Sequence, residues 1–233
     1  MEKIKSGLDG LDELLSGGIP HKHNVLICGG PGTGKTTLCM QFLYGGAKLG
    51  EKGMFISLEE DPLAIVENIK STYSWEGFEE HIKNKDIVVA SVEKFNFEHF
   101  MDVVQDLVTD KGLKRVVIDS STLLKIYFKE PLEFRKNLFN LVGFLKRFNC
   151  TTLITAEFPS MERKGTLFEL EHFVSDGIVF LYNLEKGNLR MRAIEVIKMR
   201  ACDHMSKVVP FKMTKTGVVV FPKEQVFSET TFR

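Results

Sequence analysis

Neither sign of charge is in excess: 31 Lys and Arg stand against 31 Asp and Glu. A protein dedicated to gripping a nucleic-acid backbone carries a basic surplus, so the balance argues against a chain-wide polyanion binder while leaving room for a local basic patch. Cysteine is scarce. Cys28, Cys39, Cys150 and Cys202 are scattered without any C-x-x-C spacing. That pattern argues against a disulfide scaffold or a zinc site, and points to a reducing, cytoplasmic setting with thiols packed as small hydrophobes. No apolar run approaches the roughly 18 residues of a bilayer span. The stretch Met1 to Gly10 has no apolar segment of the signal-peptide kind, so neither secretion nor a membrane partner is expected. Proline is limited to 7 residues, and there is no internal repeat, low-complexity tract or Pro-, Gly- or Ser-rich linker. The expectation is one domain over residues 1–233, with 222–233 as a flexible tail.

What is present is enough apolar residue, 43% of the chain, to fill a sizeable core, and the 19 phenylalanines read as core filling. Strand-like apolar runs alternate with helix-length segments, the pattern of a mostly parallel sheet covered by helices. Strands are predicted at Asn24–Cys28, Met54–Leu58, Asp86–Ser91, Arg115–Asp119 and Thr151–Ala156. Helices are predicted at Lys35–Lys48, from Asp61-Pro62 to about Tyr73, at Phe97–Asp110 and at Pro131–Phe148. Asp61 and Pro62 fit an N-cap and first helical residue, and Leu138, Leu141, Val142 and Leu145 recur at helical spacing. After a polar loop from Glu157 to Glu171 the pattern changes to strands without helices between them: Gly177–Tyr182, Leu189–Lys198, Val208–Met213 and Val218–Phe221. Gly187-Asn188 and Thr216-Gly217 mark hairpin turns. The fold class is therefore α/β, a parallel core ending in antiparallel strands.

One segment carries chemistry outright. Gly29-Gly30-Pro31-Gly32-Thr33-Gly34-Lys35-Thr36 satisfies G-x-x-x-x-G-K-[ST]. Glycines let successive backbone N–H groups point at phosphate oxygens, the lysine reaches the β- and γ-phosphates, and the threonine hydroxyl holds Mg²⁺ at a helix N-terminus. The four fixed positions arise by chance in roughly one chain in a hundred at average composition, and here they also sit between a predicted strand and a predicted helix. The segment thus predicts binding of a nucleotide such as ATP with Mg²⁺ by Gly30, Pro31, Gly32, Thr33, Gly34, Lys35, Thr36 and the following Thr37. Asp119, ending the apolar run Val116-Val117-Ile118, is the candidate second magnesium-side oxygen beside Thr36. Glu59 and Glu60 follow another strand, where strand C-termini surround the phosphate site of such a sheet. By position alone they either orient an attacking water or, with Asp61, complement the start of the next helix.

These residues, with Ser6-Gly7-Leu8-Asp9-Gly10, Ser16-Gly17-Gly18-Ile19-Pro20, Ser57-Leu58-Glu59-Glu60-Asp61-Pro62, Val174-Ser175-Asp176-Gly177 and Val196-Ile197-Lys198-Met199-Arg200, resemble the KaiC branch of the RecA/RadA ATPases in the same order along the chain. The resemblance implies a RecA-like P-loop fold and Mg²⁺-dependent ATP hydrolysis with Glu59 and Glu60 as paired catalytic carboxylates. It implies that Lys198 and Arg200 reach a neighbouring copy's γ-phosphate in a closed ring, commonly a hexamer, with His204 near that neighbour's nucleotide. It also shows departures. The family often has Gly-Thr where this chain has Ala201-Cys202, the usual glycine before the first core strand is missing from His21-Lys22-His23-Asn24, and no autokinase Ser/Thr pair is carried over. Ser228, Thr230 and Thr231 read as an exposed terminus.

At period two, Arg192, Ile194, Val196, Lys198 and Arg200 are expected on one strand face, with Arg192 a solvated edge charge. Two other functions stay open: a RadA-like accessory binding single-stranded DNA through Arg163 and Lys164, or a nucleotide-gated module read by a protein client. The neutral balance also hides an asymmetry. Glu51 to Asp102 holds twelve acids and five lysines, whereas Asn183 to Lys215 holds eight bases and three acids, an asymmetry that suits a head-to-tail contact between copies closing into a ring.

Overall fold

The computed structural model describes residues 1–92, 96–158 and 170–227. The chain opens with β1 (Lys3–Ile4), α1 (Leu11–Leu14) and β2 (Ile19–Pro20), then enters the body with β3 (Asn24–Gly29) and α2 (Lys35–Ala47). There follow β4 (Gly53–Ser57), α3 (Pro62–Thr72), α4 (Phe78–Lys83), β5 (Ile87–Ser91), α5 (Phe97–Lys111), β6 (Arg115–Asp119), α6 (Ser121–Ile126), α7 (Pro131–Arg147) and β7 (Thr151–Glu157). The last elements are α8 (Leu170–Val174), β8 (Gly177–Lys186), β9 (Leu189–Met199), β10 (Val209–Thr214) and β11 (Gly217–Val220).

The strands form a 9-stranded sheet in the order β11-β10-β9-β8-β3-β7-β6-β4-β5. From β5 across to β8 every pairing is parallel, and β9, β10 and β11 follow as antiparallel hairpins. The parallel part therefore reaches one strand further than the sequence pattern indicated: β8 is parallel to β3. The short helix α8 immediately precedes β8. Strands β3, β4, β6 and β7 are buried on both faces, and alternate residues feed two separate apolar layers. Val25 and Ile27 of β3 pack with α2 and α3, whereas Leu26 and Cys28 pack with α5 and α7.

Local sequence explains the main elements. Asp61 caps α3 by accepting from the Ala64 N–H at 3.2 Å, with Pro62 in the first turn, as expected. Leu138, Leu141, Val142 and Leu145 are all buried on one face of α7. Arg115 is the unexpected core residue. Its guanidinium is fully buried, donates to Glu51 Oε2 at 2.7 Å and to the Phe42 carbonyl at 2.8 Å, and lies over the Phe42 ring. A Cβ at position 46 would overlap this side chain, so Gly46 is what lets α2 pass so close to β6. Cys28, Cys39 and Cys150 are buried and Cys202 half-buried, all four as free thiols. Burial pushes the Cys150 thiol up to about 11, in keeping with a packing role.

Candidate nucleotide site

Strand β3 ends at Gly29, and the chain turns at once into α2, whose first turn faces back over the C-terminal edge of the parallel sheet. Gly34, the residue before α2, has φ 98°, and a Cβ there would collide with Met213. The loop is tied to itself: the Thr33 hydroxyl donates to the Gly30 carbonyl at 2.8 Å. Lys35 Nζ donates to the Gly29 and Gly30 carbonyls at 2.9 and 3.2 Å, which curls the ammonium back over the loop.

Asp119 ends β6, two strands from β3 in the sheet. One of its carboxylate oxygens accepts the Thr36 hydroxyl at 2.8 Å and the other accepts the Thr155 hydroxyl of β7. A hydroxyl oxygen and a carboxylate oxygen this close, both hard donors, are the chemistry that Mg²⁺ prefers. The loop after β4 is fixed on the same edge. The Leu58 N–H donates to the Asp119 carbonyl at 2.7 Å, and Ser57 Oγ accepts the Glu60 N–H at 2.9 Å. Burial raises the Glu60 carboxyl above its ordinary value, and the Asp119 and Glu59 charges raise it further. Pro31, Gly32, Lys35, Thr36, Ser57, Glu59, Glu60, Asp119, Ser120 and Glu157 line one cavity of about 230 Å³. A larger cavity of about 500 Å³ opens at the opposite edge beside Gly50, Lys52 and Lys114, where no glycine-rich loop points N–H groups inward.

The phosphate loop, Asp119 and the glutamate pair thus converge. Lys198, Arg200 and His204 do not join them. Lys198 pairs with Ile178 and Met199 with Gly177, at the start of β8, so this end of β9 lies at the edge of the sheet opposite the phosphate loop. The shared face expected for Arg192 to Arg200 is broken by a bulge. Val196 faces Val179 but Lys198 faces Ile178, so Ile197 is an extra residue and the alternation flips. Ile194, Val196 and Met199 stay in the α2 layer, and Lys198 turns to the His172 and Ser175 carbonyls at 3.2 and 2.6 Å. Arg200 is exposed and pairs with Asp176, while His204 is half-buried in the segment that follows β9.

Arg192 lies at the other end of β9, and there the solvated-charge expectation fails: its guanidinium donates to the Gly32 carbonyl of the phosphate loop at 3.3 Å. Tyr73, which ends α3, donates to the Thr37 hydroxyl at 3.4 Å. Neither contact has a signal in the sequence, since one partner is a backbone carbonyl and the other lies 36 residues away. Arg163 and Lys164, the candidate DNA contacts, and Ser228, Thr230 and Thr231 lie outside the described residues.

Comparison with known proteins fixes the family. The family described as "ATPase: KaiC" matches residues 4–225. The chain belongs to the KaiC family. It is 33% identical to a UPF0273 protein of Thermotoga maritima over 96% of this chain and 98% of that one. It is also 33% identical to the circadian clock oscillator protein KaiC of a Nostoc species, covering 95% of this chain but 44% of KaiC. Among solved structures, a KaiC-like protein from Pyrococcus horikoshii superposes with a TM-score of 0.83 at 34% identity, over 95% of this chain and 99% of that chain. The KaiC-family chain is accordingly a P-loop NTPase with a RecA-like sheet. Among the described residues no helix is long and apolar enough to cross a membrane, and no group of three or more His, Cys, Asp or Glu is placed to hold a metal.

Proposed function

We propose that this KaiC-family chain hydrolyses ATP at sites shared between copies arranged in a closed ring, commonly a hexamer, with Lys198 and Arg200 of one copy completing the site of the next. The observation that carries the reading is the placement of these two cations. Lys198 is level with the middle of β3, on the order of 10 Å along the strand from Gly29 at about 3.3 Å per residue. Two strands and an opposite sheet face separate it further from Lys35. Within one chain neither cation reaches the phosphate loop: Lys198 rests on the His172 and Ser175 carbonyls and exposed Arg200 lies beside Asp176, and both would extend or exchange these contacts to meet a neighbour's loop.

In this scheme the backbone N–H groups of Gly30 and of Gly32 to Thr37, with the Lys35 ammonium, bind the phosphates, and Thr36 and Asp119 would hold Mg²⁺. The metal ion would neutralise charge on the β- and γ-phosphate oxygens. Glu60, with Glu59 beside it, orients the water for in-line attack, and its raised proton affinity suits a group that must hold that water's proton. Arg200 and Lys198 from the neighbour meet charge developing on the transferring phosphoryl, with His204 close to the same nucleotide.

The test mixes two inactive variants. Arg200→Ala keeps its own Glu60, and Glu60→Gln keeps its own Arg200. Each alone is expected to lose about 10³-fold in kcat, and an equal mixture to regain about a quarter of the sites, since one in four then pairs both intact partners. Mixed rings without any recovery would show that the sites are not shared.

A further inference from the structure

Arg200 is an exposed side chain at the end of a strand, and such a group ordinarily samples many rotamers before it meets a partner. Here it is held at both ends by one residue. Its backbone N–H donates to the Asp176 carbonyl at 2.9 Å, and its guanidinium Nη1 lies 3.5 Å from Asp176 Oδ1. Asp176 itself has almost no freedom. It is buried, with 4% of its surface exposed. Its Oδ2 accepts the Asn24 backbone N–H at 3.0 Å and the Asn24 amide at 3.2 Å, and pairs with Lys146 of α7 at 2.7 Å. Its N–H donates to the Asn24 carbonyl at 2.9 Å. Those bonds fall on one carboxylate oxygen and leave Oδ1 to Arg200. The segment just before Asp176 seats the other cation, since Lys198 Nζ bonds the His172 and Ser175 carbonyls.

We propose that Asp176 is a positioning residue for Arg200, fixing the guanidinium on the start of β8 so that its remaining N–H groups point outward at a neighbour's phosphates in a set direction. The proposal rests on the reading that Arg200 acts on a neighbouring copy. A fixed carboxylate anchored to β3 and α7 removes part of the ordering that Arg200 would otherwise undergo each time a site is completed. Asp176 touches no substrate, so its effect passes entirely through Arg200.

The experiment uses the whole chain with Asp176→Asn, which keeps the amide-sized side chain and removes the charge. The expected result is a kcat about tenfold lower with an unchanged KM for ATP and an unchanged ring mass. Asp176→Asn/Arg200→Ala should lose no more than Arg200→Ala alone. The decisive arm dilutes Asp176→Asn subunits into an excess of Glu60→Gln subunits. Damage confined to the mutant subunit stays with it, whereas misplacement of Arg200 spoils the neighbour's site. Activity per Asp176→Asn subunit should therefore rise to the wild-type level in excess Glu60→Gln. A wild-type kcat in Asp176→Asn, or no rise on dilution, overturns the proposal.

Should Asp176→Asn fail to fold, Lys146→Met carries the test. It removes the tie that anchors the Asp176 carboxylate to α7, so kcat is expected to fall several-fold at an unchanged KM, and activity per Lys146→Met subunit to rise to the wild-type level in excess Glu60→Gln. A wild-type kcat in Lys146→Met, or no rise on dilution, overturns the proposal. The underlying reading fails separately: Arg200→Ala with wild-type kcat would remove it whatever Asp176 does.

Discussion

Glu60 is the residue whose chemistry is set most visibly by its surroundings. Its backbone N–H is pinned by Ser57, and partial burial together with the Asp119 and Glu59 charges raises its carboxyl above the ordinary range. If the ionised form orients water, activity is complete above the raised value and falls as pH drops through it. The acid limb of kcat should thus lie above the ordinary carboxylate range of about 4.3. In Glu59→Gln, which removes one like charge, the limb of the residual activity should move to lower pH. A kcat–pH profile between pH 4 and 8 measures both. A limb unmoved by Glu59→Gln would show that the two carboxylates do not feel each other. Asp176 is shifted the opposite way. Burial alone would raise it, but Lys146, the Asn24 N–H and nearby cations outweigh burial and hold it below its ordinary value. Its contribution to stability is consequently complete above the unfolded-state pKa and is lost as pH falls through the lower folded value.

The last strand of the parallel-to-antiparallel transition shows how an element carries both function and cost. Strand β9 ends by turning at Ala201, which sits at φ 52°, a left-handed conformation that favours glycine. The family resemblance expects glycine at this position. Lys22, in the segment His21-Lys22-His23-Asn24 where the resemblance also expects a glycine, has φ 63°. Ala201→Gly is expected to stabilise the fold by about 0.5–1 kcal/mol, the relief of a left-handed alanine less the extra freedom of glycine in the unfolded chain. In a chain of this size that is a rise of roughly 1–4 °C in Tm by thermal melt. A fall in Tm would show that the alanine methyl packs usefully.

The same strand shows what was legible beforehand. The phosphate loop could be read because its chemistry needs fixed residue types in one contiguous stretch. The helices α3 and α7 could be read because caps and apolar spacing are local. The bulge at Ile197 could not, since an extra residue in an apolar run leaves the composition unchanged while reversing every side chain beyond it. The direction of β8 was hidden for a similar reason. The described part of the connection holds only the five-residue helix α8, so no helix-length apolar pattern announces that β8 runs parallel to β3. Arg192 was misread because its partner, the Gly32 carbonyl, lies 160 residues away.

At the scale of the molecule, the glutamate pair and the Lys198–Arg200 end of β9 lie at opposite edges of one sheet. The segment Glu51 to Asp102 is net acidic and the segment Asn183 to Lys215 net basic, and the proposed contact would set an acidic side of one copy against a basic side of the next. Attraction between such sides is screened over about 8 Å at physiological ionic strength and over about 3 Å at 1 M salt. Assembly without nucleotide should therefore weaken with salt. The mass measured by light scattering is expected to fall between 0.05 M and 1 M NaCl, and a constant mass would mean that apolar contacts alone hold the copies together.

Under the proposed sharing of sites, the separation of the phosphate loop from Lys198 and Arg200 makes each chain an arrow, with a socket at one edge and a plug at the other. An open row of such chains always wastes one of each, with a bare socket at one end and an idle plug at the other. Closing the row removes both losses in a single contact, so the final subunit to join completes two sites where every earlier one completed a single site.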